Sequence, residues 1–266
     1  MSELPNTENN HEQDTQSQPE GQPTPLGKVQ PVQLKIHLPN RKFIVSYVIL
    51  GLTIAFFIAQ MASEYIIGFD LPATFMVKSN ALIRQGQFWR LITPVLLHGS
   101  ILHIAFNMYA LYVLGPGLER FYGYTRFFLL YLVGGFVGNV FSFILSPANS
   151  LGASTAIFGI VAAQGVFIYR NRFLFGRQAR YTLINITGIV IVNLILGISP
   201  GIDNWGHVGG LIGGLAFAWF AGPLFKIKGT PPDVTLDDTQ EGIRMWTTAI
   251  LIVAAFGMLV ATNLLF

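Results

Sequence analysis

Long apolar stretches separated by short polar ones make up most of this chain. Uncharged apolar runs at residues 43–62, 127–145, 181–198 and 247–266 are each close to the ~20 residues an α-helix needs to cross a bilayer core of roughly 30 Å. Three less uniform runs, at 91–114, 154–169 and 205–225, bring the predicted spans to seven. These three carry His, Asn, Ser and many Gly among their apolar residues, and that difference is the first pointer to function. The pattern predicts an all-α polytopic membrane bundle.

Composition agrees with a lipid solvent. Of the 266 residues, 52% are hydrophobic and only 11% charged, where a soluble domain carries about a quarter charged. The chain has no Cys, which excludes disulfides, thiolate metal sites and a cysteine nucleophile. Residues 1–39 are rich in Gln, Pro, Thr, Asn and Glu and poor in aromatic residues, so they are expected to form a disordered tail. With Glu3, Glu8, Glu12, Asp14 and Glu20 the tail is too acidic for a mitochondrial transit peptide and lacks the apolar core of a signal peptide, so the first apolar run is expected to be a retained anchor. The predicted organisation is a tail over 1–39, a six-helix core over 40–228, and a linker with a seventh span over 229–266.

Charge sets an orientation. With the tail cytoplasmic, 13 of the 16 Lys and Arg fall in inner segments, and only Lys78, Arg84 and Arg90 fall outside. That is the bias that loop charges impose on topology. A cytoplasmic N-terminus and an external C-terminus are therefore expected.

Polar groups inside a span are costly and usually face a wet cavity or the protein interior. The second span holds His98, His103 and Asn107; the fourth opens with Gly152-Ala153-Ser154-Thr155; the sixth opens with Gly206-His207-Val208-Gly209-Gly210. On the orientation above, all lie towards the outer leaflet. Arg170 pins the other end of the fourth span, and the 16 residues back to Ser154 rise about 24 Å. Against a core of roughly 30 Å this leaves Ser154 below the outer surface, with residues 147–152 dipping in as irregular backbone, which is tolerated at depth only inside protein or along a wet cavity. Gly152, Ala156, Gly159 and Ala163 give the fourth span a small face, and Gly206, Gly210 and Gly214 give the sixth another. If these faces meet, Ser154 and His207 come within hydrogen-bonding reach, as a nucleophile and its base require. The helix opening at Ser154 offers free N–H groups to an oxyanion, and His103 and Asn107, on one helical face, offer side-chain donors.

Plainer readings stand beside these. A serine in a span often bonds back to its own helix, and Asn107 can serve as glue between helices. Asp203 either completes a triad with His207 or, with Asn204, caps the sixth helix, and the cap is the simpler role. Trp89, Arg90 and His98 suit anchoring at the interface. Glu119 and Arg120 follow the second span and read as a loop tether or ion pair.

Taken together, Trp89-Arg90, His103-Ile-Ala-Phe-Asn107, Gly152-Ala-Ser154 and Gly206-His207-Val-Gly-Gly210 resemble, in order and in helix, the signature of the rhomboid family of intramembrane serine proteases. The resemblance covers about residues 43–225. It implies a six-helix core with a Ser154–His207 dyad and no acidic third member, and oxyanion binding by His103, Asn107 and the Ser154 N–H. It also implies a substrate pocket at Gly152, Thr155 and Phe158, with Phe158 packed on the catalytic His. The segment 65–90 resembles the family's embedded first loop, the fifth span its helix for lateral substrate entry, and the seventh span a known family variant. Thr155 departs from the family, which most often has Gly there, and its branched side chain stiffens the turn after the nucleophile.

The expected function is endopeptidase cleavage, in or near the membrane, of single-pass transmembrane proteins, with the lipid bilayer as solvent and no cofactor, metal or nucleic acid implied. The alternative is a non-catalytic relative that binds transmembrane segments for quality control, and retention of both Ser154 and His207 argues against it. A proton-coupled transporter would need an acidic residue within a span to complete its relay, and the seven predicted runs contain none. The expected location is a bacterial plasma membrane.

Overall fold

The computed structural model describes residues 35–37, 42–230, 233–240 and 242–265. Most of the tail expected over residues 1–39 lies outside them. The elements in chain order are β1 (Lys35–His37), α1 (Val45–Ile67), α2 (Leu71–Met76), α3 (Asn80–Arg84), α4 (Ile101–Tyr122), α5 (Tyr124–Leu145), α6 (Ser154–Arg170), α7 (Gln178–Leu196), α8 (Asn204–Ala221), β2 (Phe225–Thr230), β3 (Asp233–Asp238) and α9 (Gly242–Leu265). The seven longest helices correspond to the seven predicted spans. Five of them, α1, α4, α5, α7 and α9, are long and apolar enough by themselves to cross a membrane. The other two, α6 with 17 residues and α8 with its five glycines, sit against α5 at the centre.

Close approach of α5, α6 and α8 follows from their small residues. A Cβ on Gly134 of α5 would lie 3.3 Å from the Gly159 Cα of α6. On α8, a Cβ at Gly210 would overlap the Thr155 carbonyl oxygen and one at Gly214 the Gly159 carbonyl oxygen. The small faces expected of the fourth and sixth spans thus meet, backbone against backbone, as small residues allow in a membrane. Around this centre, α1 packs on α4, α7 on α6, and α9 on α5 and α8. The outward faces of α1, α7 and α9 are largely exposed Ile, Leu, Val and aromatic residues, as a lipid-facing surface requires.

The second span differs from expectation. The run 91–114 is not one helix: Phe88–Leu91 and Thr93–Leu96 form separate 3-10 turns, and α4 starts only at Ile101. Pro94 lacks an N–H to continue a helix, and the Ser100 side chain caps α4 by accepting from the His103 N–H at 3.2 Å. Consequently α4 runs to Tyr122 through Pro116 and contains Glu119. That carboxylate is fully buried and accepts from the Ile44, Val45 and Ser46 N–H groups at 2.9, 2.8 and 2.8 Å and from the Ser46 hydroxyl at 2.6 Å. It is the tether expected of it, and it supplies the positive end of α1 with a negative partner.

The sixth span also ends early, at Ala221, because Gly222-Pro223 breaks the helix. Residues beyond it form a sheet that the periodicity did not suggest: β2 pairs antiparallel with β3, and β1 pairs parallel with β3, Lys35 opposite Asp233. The last residues of the predicted tail thus carry a strand, and the predicted boundary between core and linker at 228/229 falls inside a hairpin. Arg126 at the start of α5 donates to Asp238 of β3 at 2.7 Å. The buried Asn171 donates to the Pro223 carbonyl at 3.0 Å and accepts from the Phe225 N–H at 2.9 Å, fixing the exit of α8 to the end of α6.

Candidate active site

Three helices begin at one end of the bundle with a polar residue near the start of each: His103 on α4, Ser154 on α6 and His207 on α8. Because α6 and α8 touch through glycine, Ser154 Oγ and His207 Nε2 lie 3.0 Å apart. The ring of Phe158, one turn after Ser154, stacks on the imidazole with centroids 4.3 Å apart and planes within 10°. His207 is buried, and stacking leaves its ring little freedom to turn away. For Nε2 to accept from the serine hydroxyl, the ring proton must sit on Nδ1, and that atom has no hydrogen-bond partner among the described residues. Asp203 does not reach it. One oxygen of that carboxylate accepts from the Gly206 N–H at 3.0 Å as the N-cap of α8. The arrangement is a pair and not a triad.

The approach to Ser154 is shaped by Gly152, whose φ of +133° is open to glycine alone at little strain. A Cβ there would stand 2.8 Å from Nε2 of His103 and 3.6 Å from Ser154 Oγ. The space on that side of Gly152 is therefore bounded by the imidazole of His103 and the serine hydroxyl together. Asn107 lies one turn further along α4, buried, with its Nδ2 donating to the His103 carbonyl at 3.0 Å. An amide nitrogen has two N–H groups, so this bond leaves one for another acceptor.

Thr155 faces elsewhere. Its side chain is buried and fills the notch left by two glycines, with Thr155 Cβ 2.6 Å from where a Gly138 Cβ would stand and Thr155 Cγ2 3.0 Å from that of Gly206. The branched residue that the resemblance put in the substrate pocket has its side chain packed between α5, α6 and α8, because position 155 points to that seam while Ser154 points to His207.

Trp89, Arg90 and His98 were expected at the interface, and two of the three are buried. Arg90 donates from Nη1 to the Val77 carbonyl and from Nη2 to the Thr74 carbonyl, both at 2.8 Å, and so ties down α2. Trp89 stays half exposed, its indole N–H bonded to the Phe75 carbonyl at 3.0 Å. His98 packs edge-on against His103 with centroids 4.9 Å apart, and its Nε2 accepts from the Ala153 N–H at 3.4 Å. Its own backbone N–H donates to Gln60 Oε1 at 3.0 Å. Gln60, buried on α1, and the Pro94 carbonyl, which accepts from the Gly152 N–H at 2.9 Å, complete the frame around the residues before Ser154. Sequence reading assigned Gln60 and Pro94 no part in this frame. The signal for Gln60 was present: it is the only amide side chain in the apolar run 43–62.

Comparison with known proteins adds kinship to this geometry. A family model described as "Rhomboid domain" matches residues 85–224. The "Rhomboid protease GluP" of Bacillus subtilis (strain 168) is 42% identical over 176 residues, covering 66% of this chain and 34% of the relative. "RHOMBOID-like protein 4" of Arabidopsis thaliana is 33% identical over 181 residues, with 65% and 45% covered. The "Putative rhomboid protease YdcA" of Bacillus subtilis (strain 168) is 31% identical over 175 residues, with 61% and 85% covered. The aligned part thus spans a third to under half of the first two relatives.

Proposed function

This chain belongs to the rhomboid family of multi-pass membrane proteins, and from that premise we propose that it is an intramembrane serine endopeptidase using Ser154 and His207. The observation that carries the reading is the 3.0 Å approach of Ser154 Oγ to His207 Nε2, with the ring held by Phe158. In this mechanism His207 takes the hydroxyl proton as Ser154 Oγ attacks the scissile carbonyl. The resulting oxyanion accepts hydrogen bonds from the Ser154 N–H, His103 and Asn107; the His103 imidazole borders the space beside Gly152 next to Ser154 Oγ, and Asn107 Nδ2, bonded to the His103 carbonyl, has a second N–H to give. Collapse breaks the C–N bond, and His207 returns its proton to the leaving amine. Water, activated by the same imidazole, then hydrolyses the acyl-serine and frees the enzyme.

The substrates in this reading are single-pass transmembrane proteins, cut near the end of the bilayer at which α4, α6 and α8 begin. That end is external, because Arg120, Arg126, Arg170, Arg172, Arg177 and Arg180 gather at the opposite ends of the helices. The N-terminus is then cytoplasmic, the C-terminus external, and the location a bacterial plasma membrane. Support for catalysis over a purely binding role is the intact pair itself, since a protein that only held transmembrane segments would need neither group.

The test is cleavage of several model single-pass substrates by purified protein in one detergent. Wild type is expected to cut, while Ser154→Ala and His207→Ala each lose about 10³-fold or more. Cleavage that persists in Ser154→Ala would sink the assignment, and binding without cleavage by all three proteins would favour the quality-control role.

A further inference from the structure

At the end of the bundle opposite Ser154, the chain turns from α6 into α7 through a 3-10 turn at Arg172–Leu174. A groove of about 700 Å³ opens there, lined by Tyr169, Arg172, Phe173, Arg180, Leu183 and Ile184 among others. Four arginines, Arg170, Arg172, Arg177 and Arg180, fall within this short segment, and no Asp or Glu stands anywhere between Arg120 and Asp203. Arg170 is engaged, donating to the Trp219 carbonyl and lying over its ring. Arg172, Arg177 and Arg180 are exposed and pair with no carboxylate among the described residues. Arg177 and Arg180 moreover stand at the start of α7, the positive end of its dipole, where cations are disfavoured unless an anion joins them.

The groove changes character with depth. Arg180 lies in the first turn of α7, whereas Leu183 and Ile184 lie one turn on, about 5 Å deeper along the axis. Phe173, Tyr169 and Ile184 are each about half exposed and extend the apolar wall. Arg172 rests over the Tyr169 ring, its guanidinium carbon 5.6 Å from the centroid, a contact that uses none of the N–H donors with which a guanidinium grips an oxyanion. A guanidinium rim above an apolar wall matches the junction between a phosphodiester and its acyl chains. A free phosphate would leave the wall uncovered, and a zwitterionic lipid would bring its own cation to a rim that already has an excess.

We infer that this groove is a binding site for an anionic phospholipid, with the phosphodiester held by Arg172 and Arg180 and an acyl chain laid along Leu183 and Ile184. It rests on the orientation proposed above only for which leaflet supplies the lipid, and it is independent of whether the chain is a protease. The test uses the full chain, delipidated in a neutral detergent, with retained lipid measured by native mass spectrometry. Phosphatidylglycerol, phosphatidylcholine and inorganic phosphate are titrated separately. Preference for phosphatidylglycerol over phosphatidylcholine is expected in the wild type, and the double variant R172Q/R180Q is expected to weaken phosphatidylglycerol binding roughly 30-fold, from about a fivefold effect per basic residue. Ile184→Gln is expected to weaken lipid binding while leaving the arginines in place, and Arg84→Gln, at the other end of the bundle, to change nothing. Equal retention of the two lipids by wild type, or an unchanged preference in R172Q/R180Q, overturns the proposal. Competition by inorganic phosphate as strong as that by lipid overturns it too, as it reduces the groove to an ion site.

Discussion

Lys78 carries an ammonium into a position with no exposed surface. It donates to the carbonyls of Ser146 and Ala148 at 3.0 and 2.8 Å, while its backbone pairs in both directions with Ser150. One residue thus holds the segment that delivers Gly152, Ala153 and Ser154. Burial pushes its pKa down from the ordinary 10.5 to about 8, with the charge of Asp203 pulling the other way. Between those two values the unfolded chain keeps a proton that the folded one has lost, so stability rises with pH across this window, and below about 8 both states are charged. The expected result is a wild-type melting temperature that climbs relative to Lys78→Met from pH 8 towards 10.5. At neutral pH that variant, which strips two carbonyls of a charged donor, should be less stable by about 1–3 kcal/mol. Parallel melting curves for the two proteins across the window would refute the account.

Helix against helix, the decisive contact is α6 with α8. A methyl at Gly210 meets the Thr155 carbonyl, so Gly210→Ala must push apart the two helices that carry Ser154 and His207. Overpacking of this kind destabilises by about 1–3 kcal/mol, and the proposed proteolytic activity should fall further than stability does. Gly188 on α7 has nothing within 4 Å of its Cβ direction. Gly188→Ala should therefore be neutral or stabilising by up to about 1 kcal/mol, and paired thermal melts with a cleavage assay distinguish the two. This seam was legible in the sequence because glycine at helical spacing and histidine in an apolar run are both conspicuous there. The start of α4 was not, since Phe88, Leu91, Val95 and Leu96 are as apolar in 3-10 turns as in a span, and only Pro94 and Ser100 mark the difference. Nor was the facing of Thr155, which depends on which neighbour leaves room. The sheet escaped because β1 is three residues long and its partner lies on the far side of six spans.

Across the described residues, most of the basic side chains gather at one end and the Ser154–His207 pair lies at the other, with Lys78, Arg84 and Arg90 as the exceptions on its side. A reporter fused after Phe266 is expected on the external side of the membrane, and a cytoplasmic reporter would invert the proposed orientation and the side on which substrates are cut. The same layout has a consequence for how the protein is made. Parallel pairing of β1 with β3 sets Lys35 beside Asp233, so a strand that leaves the ribosome early waits until α8 has been inserted before its neighbour exists. A nascent chain released before β3 keeps that edge open, and unpaired edges invite foreign strands. Pairing of β1 is thereby a record that synthesis has passed β3 and that the six long helices between the two strands are already in place.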